Sequence, residues 1–388
     1  MRAIELFAGA GGLGMGISQA GFTPAKIVEW DRWCCDTIRE NRRRGVHEVA
    51  KWPMPLEGDI RSVDFRSFAG AVDLVSGGPP CQPFSLGGKH RAHNDHRDMW
   101  SEAVRVVREV RPPAFVFENV KGLTRASFAT YLAYIIHQLS YPELKRLVSE
   151  DWHEHMARLE RHHTSGREQG LEYNVVYRVL NAANYGVPQR RERVVFVGFR
   201  SDLGIEWAFP KETHSLDSLL WEQLSSTDYW DRHNVARKDR MIAERLKARG
   251  RSLVARPSEK AWLTVRDALV GLPDPELGQV DTAEFLDHRF QPGARSYPGH
   301  TGSPLDEPAK TLKAGVHGVP GGENMLCRPD GSVRYFTVRE SARLQTFPDT
   351  YRFHGSWTEA MRQLGNAVPV ELSRIIGQNV AHRLRETA

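Results

Sequence analysis

Cysteine is scarce in this chain: four stand among 388 residues, at positions 34, 35, 81 and 327. They make no Cys-x-x-Cys pair and lay out no disulfide framework. A reduced, cytoplasmic setting fits and would keep Cys81 a free thiol. No apolar run approaches the roughly 18 to 20 residues that a membrane span needs. The opening Met1-Arg2-Ala3-Ile4-Glu5-Leu6-Phe7 enters a strand at once, without the layout of a secretory signal. A dominant charge is missing too: 53 Lys and Arg face 48 Asp and Glu, a formal net charge of +5. Such a balance permits nucleic-acid binding without demanding it. His90, His93 and His96 recur every third residue, but no cysteine or carboxylate set completes a metal site, so no metal is expected.

What is present is a globular composition, 40% apolar and 26% charged. The chain has room for two or three ordinary domains, or one large and one small. Its most informative stretch is Gly77-Gly78-Pro79-Pro80-Cys81-Gln82-Pro83-Phe84-Ser85. This follows Ala71-Val72-Asp73-Leu74-Val75, which reads as a buried parallel strand reaching its carboxyl edge. Proline fixes φ and removes a donor, so a cysteine between prolines is stiffly aimed. Open α/β sheets bind ligands outside such strand ends. The bland alternative is an inert cysteine beside a proline turn.

Other strand ends converge on the same edge. After Ala3–Phe7, Gly9, Gly11 and Gly14 fit G-x-G-x-x-G before a helix-like Ile17–Ala20. That loop lets a nucleoside approach backbone N–H groups. A packing turn would use the same residues, and the loop does not separate a dinucleotide from S-adenosylmethionine. Strand Ala25–Val28 ends at Glu29, twenty residues after Gly9, where an acid accepts from ribose hydroxyls. Trp30 can lie on an adenine face, and Asp59, in the strand-end loop Gly58-Asp59-Ile60, can accept from an adenine amino group. Strand Ala114–Phe117 delivers Glu118-Asn119-Val120, and a carboxyl so placed should have a raised pKa.

Ser101–Val110 has helical period, with Ala103, Val104 and Val107 inward. Residues 137–170, with His153, His155, His162 and His163, read as a solvated helical excursion. Strands Asn174–Leu180 and Arg193–Phe199 flank Tyr185–Arg193, where three arginines repel one another unless an anion or acceptor faces them. From Ile205 loops increase and cations crowd. Arg245, Lys247 and Arg249 belong to a patch suited to phosphate. Residues 293–322 should be loops with short strands. Thr337–Gln345 reads as a capped helix stopped near Pro348. Gln363–Pro369 reads as the opening of a last helix, with Pro369 near its first turn. Val370, Leu372, Ile375, Ile376 and Val380 form the stripe that covers the first sheet.

In this order the glycine loop, Glu29-Trp30, the Pro-Pro-Cys loop, Glu118-Asn119-Val120, Gln189-x-Arg191-x-Arg193, Arg339–Gln345 and Gly365-Asn366 resemble the successive motifs of the DNA (cytosine-5)-methyltransferases. The likeness is to the compact bacterial modification enzymes, over about residues 1–200 and 335–388. It implies an α/β fold: a Rossmann-like S-adenosylmethionine-dependent methyltransferase sheet with a second, smaller, loop-rich target-recognition domain. Residues 1–204, completed by 360–388, would be the catalytic domain. Residues 205–335 would recognise the target, with 336–359 as hinge and supporting helix.

The resemblance also implies the chemistry. Cys81 would add to C6 of a cytosine flipped from duplex DNA, so that C5 can take the methyl of S-adenosylmethionine. Glu118 would contact N3 and the exocyclic amine. Arg193, and with it Arg191, would hold the O2 side and the adjacent phosphate or loop. Phe7, Ala8, Gly9, Gly11, Gly12, Leu13, Glu29, Trp30, Asp59, Ile60, Pro80, Asn366 and Ala367 would line the methyl-donor site. Pro80, Gln82, Ser85, Asn119 and Gln189 would serve the DNA side with the basic patch, and Asn119 would steady the Cys81 loop. The expected partner is double-stranded DNA, alongside a restriction endonuclease acting at the same site, with the chain a monomer. The motifs are unpermuted and no regulatory extension precedes the first strand, which favours a stand-alone enzyme. Glu5 and Asn184 stand where the family commonly has Asp, and the 137–170 stretch is longer than in minimal members. Rival readings are a nicotinamide-dependent oxidoreductase, a catalytically silent DNA-binding homologue and the tRNA-acting branch of the family.

Overall fold

The computed structural model describes residues 1–80, 99–166, 170–278, 282, 285–315 and 324–387. Seven strands form the main sheet: β1 (Arg2–Leu6), β2 (Thr23–Glu29), β3 (Leu56–Glu57), β4 (Leu74–Gly77), β5 (Ala114–Val120), β6 (Tyr173–Asn181) and β7 (Glu192–Arg200). Their order is β3-β2-β1-β4-β5-β7-β6, and β7 runs antiparallel to both neighbours. The order reverses between β1 and β4, so the loops leaving those strands flank the crevice where open α/β sheets take ligands. The mixed α/β class agrees with expectation. Two boundaries do not. β4 begins three residues later than expected, and just before it the Asp73 carboxylate accepts from the Arg2 N–H at 2.6 Å. Glu118, Asn119 and Val120 do not follow β5 but form its last three residues, held in register opposite Val195, Val194 and Arg193.

Five helices cover this sheet before its last two strands: α1 (Gly12–Gln19), α2 (Arg32–Arg43), α3 (Trp100–Val110), α4 (Ala129–Ser140) and α5 (Trp152–Ser165). On one face Val104, Val107 and Trp100 of α3 pack on Phe115, Phe117 and Phe196. The Trp100 ring meets Phe196 edge-on at 5.1 Å. α4 and α5 join the same core through Ile135, Leu139, Met156 and Leu159. The excursion is therefore not wholly solvated. His155 is 2% exposed, held between the Tyr134 hydroxyl at 2.8 Å and Leu144 O at 2.7 Å.

The region after β7 is built from short pieces: α6 (Leu216–Leu224), α7 (Asp228–Arg232), α8 (Glu244–Arg251), α9 (Val265–Leu269) and strands β8 (His214–Ser215), β9 (Lys260–Ala261), β10 (Ser303–Pro304), β11 (Met325–Cys327) and β12 (Val333–Tyr335). Its apolar clusters are small, and one includes Phe336 and Leu344 from the following segment. The chain then returns through α10 (Val338–Leu344), α11 (Trp357–Asn366) and α12 (Val370–Glu386). Thr337 and Glu340 form a capping box at the start of α10. α11 was not expected from the sequence: Gly365-Asn366 closes that helix and does not open the last one, while Pro369 is the N-cap residue of α12, beside its first turn as expected. Leu372, Ile376 and Val380 cover Ala3, Leu74, Val116 and Val197 on the second face of the sheet. Among the described residues no helix is long and apolar enough to cross a membrane.

Candidate active site

The glycine loop leaves β1 through Phe7, whose φ of 53° is left-handed for a residue with a side chain, a strained conformation typical of functional turns. Glu29, at the end of β2, ties that loop down. Its Oε2 accepts from Gly9 N–H and its Oε1 from Asp31 N–H, both at 2.7 Å. Each oxygen keeps acceptor capacity, and burial raises the carboxyl pKa. Trp30 beside it is 66% exposed. Gly58 N–H donates to Glu29 O at 2.9 Å, which brings Asp59 to the same rim, where it pairs with Arg61.

From the other side, a Cβ placed on Gly12 would lie 2.4 Å from Val368 O and 3.5 Å from the Ala367 Cβ. The 366–368 turn thus borders the loop, with Asn366 exposed. The structure brings the expected donor-site residues together, with one distinction. The side chains of Ala8, Leu13, Ile60 and Ala367 belong to the apolar core and leave their backbone to a ligand. Acceptors, an exposed aromatic face and open backbone fit an adenosyl group.

At the adjoining strand ends, Glu118 is buried beside Gly78: a Cβ there would sit 3.3 Å from Glu118 Oε2. Arg193 Nε approaches Glu118 Oε1 at 2.8 Å. The Nε–H is not aimed along the line to Oε1, which keeps its acceptor capacity. Burial raises the Glu118 pKa, and the Arg193 and Arg191 guanidinium groups oppose the rise. Asn119 Nδ2 donates to Pro79 O at 2.9 Å, and its Oδ1 accepts from Val120 N–H. This holds the start of the Pro-Pro-Cys loop, with Pro80 exposed at its end. Cys81, Gln82, Ser85 and the histidines at 90, 93 and 96 lie outside the described residues.

Three expected contacts fall elsewhere. Arg191 is fully buried and gives its guanidinium to Leu312 O at 3.2 Å and Gly365 O at 2.8 Å; it straps segments together and does not face a ring. Gln189 is also fully buried, donating to Leu344 O at 3.2 Å and accepting from Leu312 N–H at 3.0 Å, so it presents nothing to DNA. The three patch cations expected at DNA each meet an acid: Arg245 meets Glu307 at 2.8 Å, Lys247 meets Glu244 at 2.5 Å and Arg249 meets Asp217 at 2.6 Å.

Two buried groups had no assigned role in the sequence reading. Arg339 donates to Leu286 O, Pro348 O and Tyr351 O. Glu5 is bonded by the Ser76 hydroxyl, and burial pushes its pKa up to about 8. An acid inside an apolar strand was the available signal for Glu5. Arg339 had none beyond its place in a motif. Among the described residues no three His, Cys, Asp or Glu side chains group as a metal site.

The sequence profile of the C-5 cytosine-specific DNA methylases matches residues 1–141 and 153–382. The gap falls between α4 and α5. The type II methyltransferase M.PspPI of Psychrobacter sp. (strain TA137) is 33% identical over 388 residues, covering 98% of this chain and 79% of that protein. M.Eco47II of Escherichia coli is 32% identical, with the same coverage of each chain. Among solved structures, the S. pombe Dnmt2 methyltransferase superposes with a TM-score of 0.55 at 17% identity, covering 100% of this chain and 99% of that one. That likeness is one of fold.

Proposed function

The chain belongs to the C-5 cytosine-specific DNA methylases, and from that premise we propose how its residues divide the work. Membership sets aside the nicotinamide-dependent oxidoreductase. Phe7, Gly9, Glu29, Trp30, Asp59 and Asn366 would hold S-adenosylmethionine, which supplies an electrophilic methyl at the sheet edge. The target cytosine is inaccessible within a stacked duplex and enters the site flipped. Cys81, carried on the loop that Asn119 anchors through Pro79, attacks C6 as thiolate and turns C5 into a nucleophile. Glu118 meets N3 and the amine, where its elevated pKa suits sharing a proton with the ring. Arg193 fixes Glu118 and faces the O2 side. Arg191 acts behind them as a positioning residue. The chain would act as a monomer that protects cellular DNA from an endonuclease of the same specificity.

The observation that carries this reading is the buried Glu118–Arg193 contact beside Gly78. These are a carboxyl with acceptor capacity, a cation and the stem of the cysteine loop, all at one strand edge. The test is to incubate the protein with S-adenosylmethionine and a random-sequence plasmid, then map modified cytosines by bisulfite. Methylation confined to one short sequence is expected; a plasmid left without 5-methylcytosine defeats the reading.

A further inference from the structure

The stretch from His288 to Leu305 carries Arg295 and no Asp or Glu, whereas Arg245, Lys247 and Arg249 of α8 each meet a carboxylate. At its tip Tyr297 and His300 close a tight turn. His300 N–H donates to Tyr297 O at 2.8 Å and Tyr297 N–H to His300 O at 3.3 Å. Pro298 sets φ at the first corner, and Gly299, at φ +83°, takes the left-handed second corner that a type II turn requires. The closed turn stacks the two rings, with centroids 4.2 Å apart at 30°. Tyr297 nevertheless stays 50% exposed, and Phe290 on the same arm 40%. Arg295 is exposed and makes no ion pair among the described residues.

This arm is tied to the catalytic rim. Lys310 Nζ donates to Thr301 Oγ1 at 3.0 Å, next to the turn. Thr311 Oγ1 donates to Arg190 O at 2.7 Å, and Leu312 N–H to Gln189 Oε1 at 3.0 Å. Gln189 and Arg190 lie on the turn that leads into Arg193, the partner of Glu118. A preformed aromatic plate on an acid-free, arginine-bearing arm matches nucleic acid, with ring on base and guanidinium on phosphate.

We propose that the Tyr297–His300 turn is a DNA contact that lays its rings on a base beside the flipped cytosine, with Arg295 on an adjacent phosphate. The proposal rests on the DNA-methylating reading above. Its test compares wild type, Y297A, Y297F and R295Q in binding and methylating a duplex with the mapped site. A second duplex carries a mismatch at the target cytosine. Melting temperature and S-adenosylmethionine affinity serve as folding controls.

Y297A should weaken DNA binding roughly 10-fold or more, with Y297F close to wild type. Its methylation defect should shrink on the mismatched duplex, whose target base is already loosened. R295Q should reduce the slope of log K against log salt by about 1. If wild type methylates DNA and Y297A binds and methylates equally well, the contact is refuted. A Y297A defect of equal size on both duplexes refutes its place beside the flipped base, and an unaltered R295Q slope refutes the phosphate contact. A wild type that methylates no DNA instead brings down the functional reading, and the inference with it.

Discussion

Three carboxyl groups are buried on this sheet, Glu5, Glu29 and Glu118, and the surroundings of the first and the last differ. Glu118 has the Arg193 guanidinium at 2.8 Å, so its proton is negotiable. Glu5 has only the Ser76 hydroxyl and the Gly14 N–H, and burial carries its pKa from an ordinary 4.5 to about 8. Because the folded value lies above the unfolded one, the favourable contribution is complete below about pH 4.5 and fades as pH rises towards 8. The neutral isostere Glu5→Gln should remove that dependence. Wild-type stability minus variant stability, read by urea unfolding, should fall by on the order of a few kcal/mol between about pH 5 and pH 8. A difference that stays constant over that range would show that Glu5 does not change its protonation there. The elevated carboxyl pKa at Glu118 was legible from its apolar strand. The partners of both acids were not, since Arg193 and Ser76 reach them only through strand pairing across more than 70 residues.

At the scale of elements, the decisive feature is the seam where residues 309–314 run over the turn before β7 and the end of α11. Pro188 O accepts from Ala309 N–H, and Arg190 N–H donates to Ala309 O. Gly365 is needed beneath Ala314, whose N would lie 2.3 Å from an added Cβ. Arg191 supplies the donors that two buried carbonyls of this seam require. Arg191→Met should therefore cost at least ~2 kcal/mol in denaturant unfolding. Lysine should recover only part of it, lacking the planar fork. A variant of normal stability that has lost methyl transfer would instead make Arg191 a substrate contact. A local reading of Tyr185–Arg193 sees arginines seeking an anion. The carbonyls that Arg191 bonds come from 121 and 174 residues further along, and nothing within the motif signals them. Helices with local marks were readable in advance: α3 by its apolar period, α10 by its Thr337–Glu340 box, α12 by its stripe. α11 was obscured by Gly365, a poor helix former at its end.

Across the whole molecule, one sheet edge gathers the ends of β1, β2, β4 and β5, while α12 closes the opposite face of the sheet. The loop-rich region after β7 returns to that edge at the seam, so its surface and the strand end that carries Glu118 share one rim. This layout supports a cysteine that adds to a flipped cytosine while Glu118 steadies the ring. The most direct measurement uses duplex DNA carrying 5-fluorocytosine at the mapped site, incubated with the protein and S-adenosylmethionine. Fluorine at C5 blocks the final elimination, so a covalent protein–DNA adduct should accumulate, with Cys81 as the linked residue by peptide mass and no adduct from Cys81→Ser. Multiple turnovers on that DNA with no adduct, or an adduct that persists in Cys81→Ser, would contradict the account.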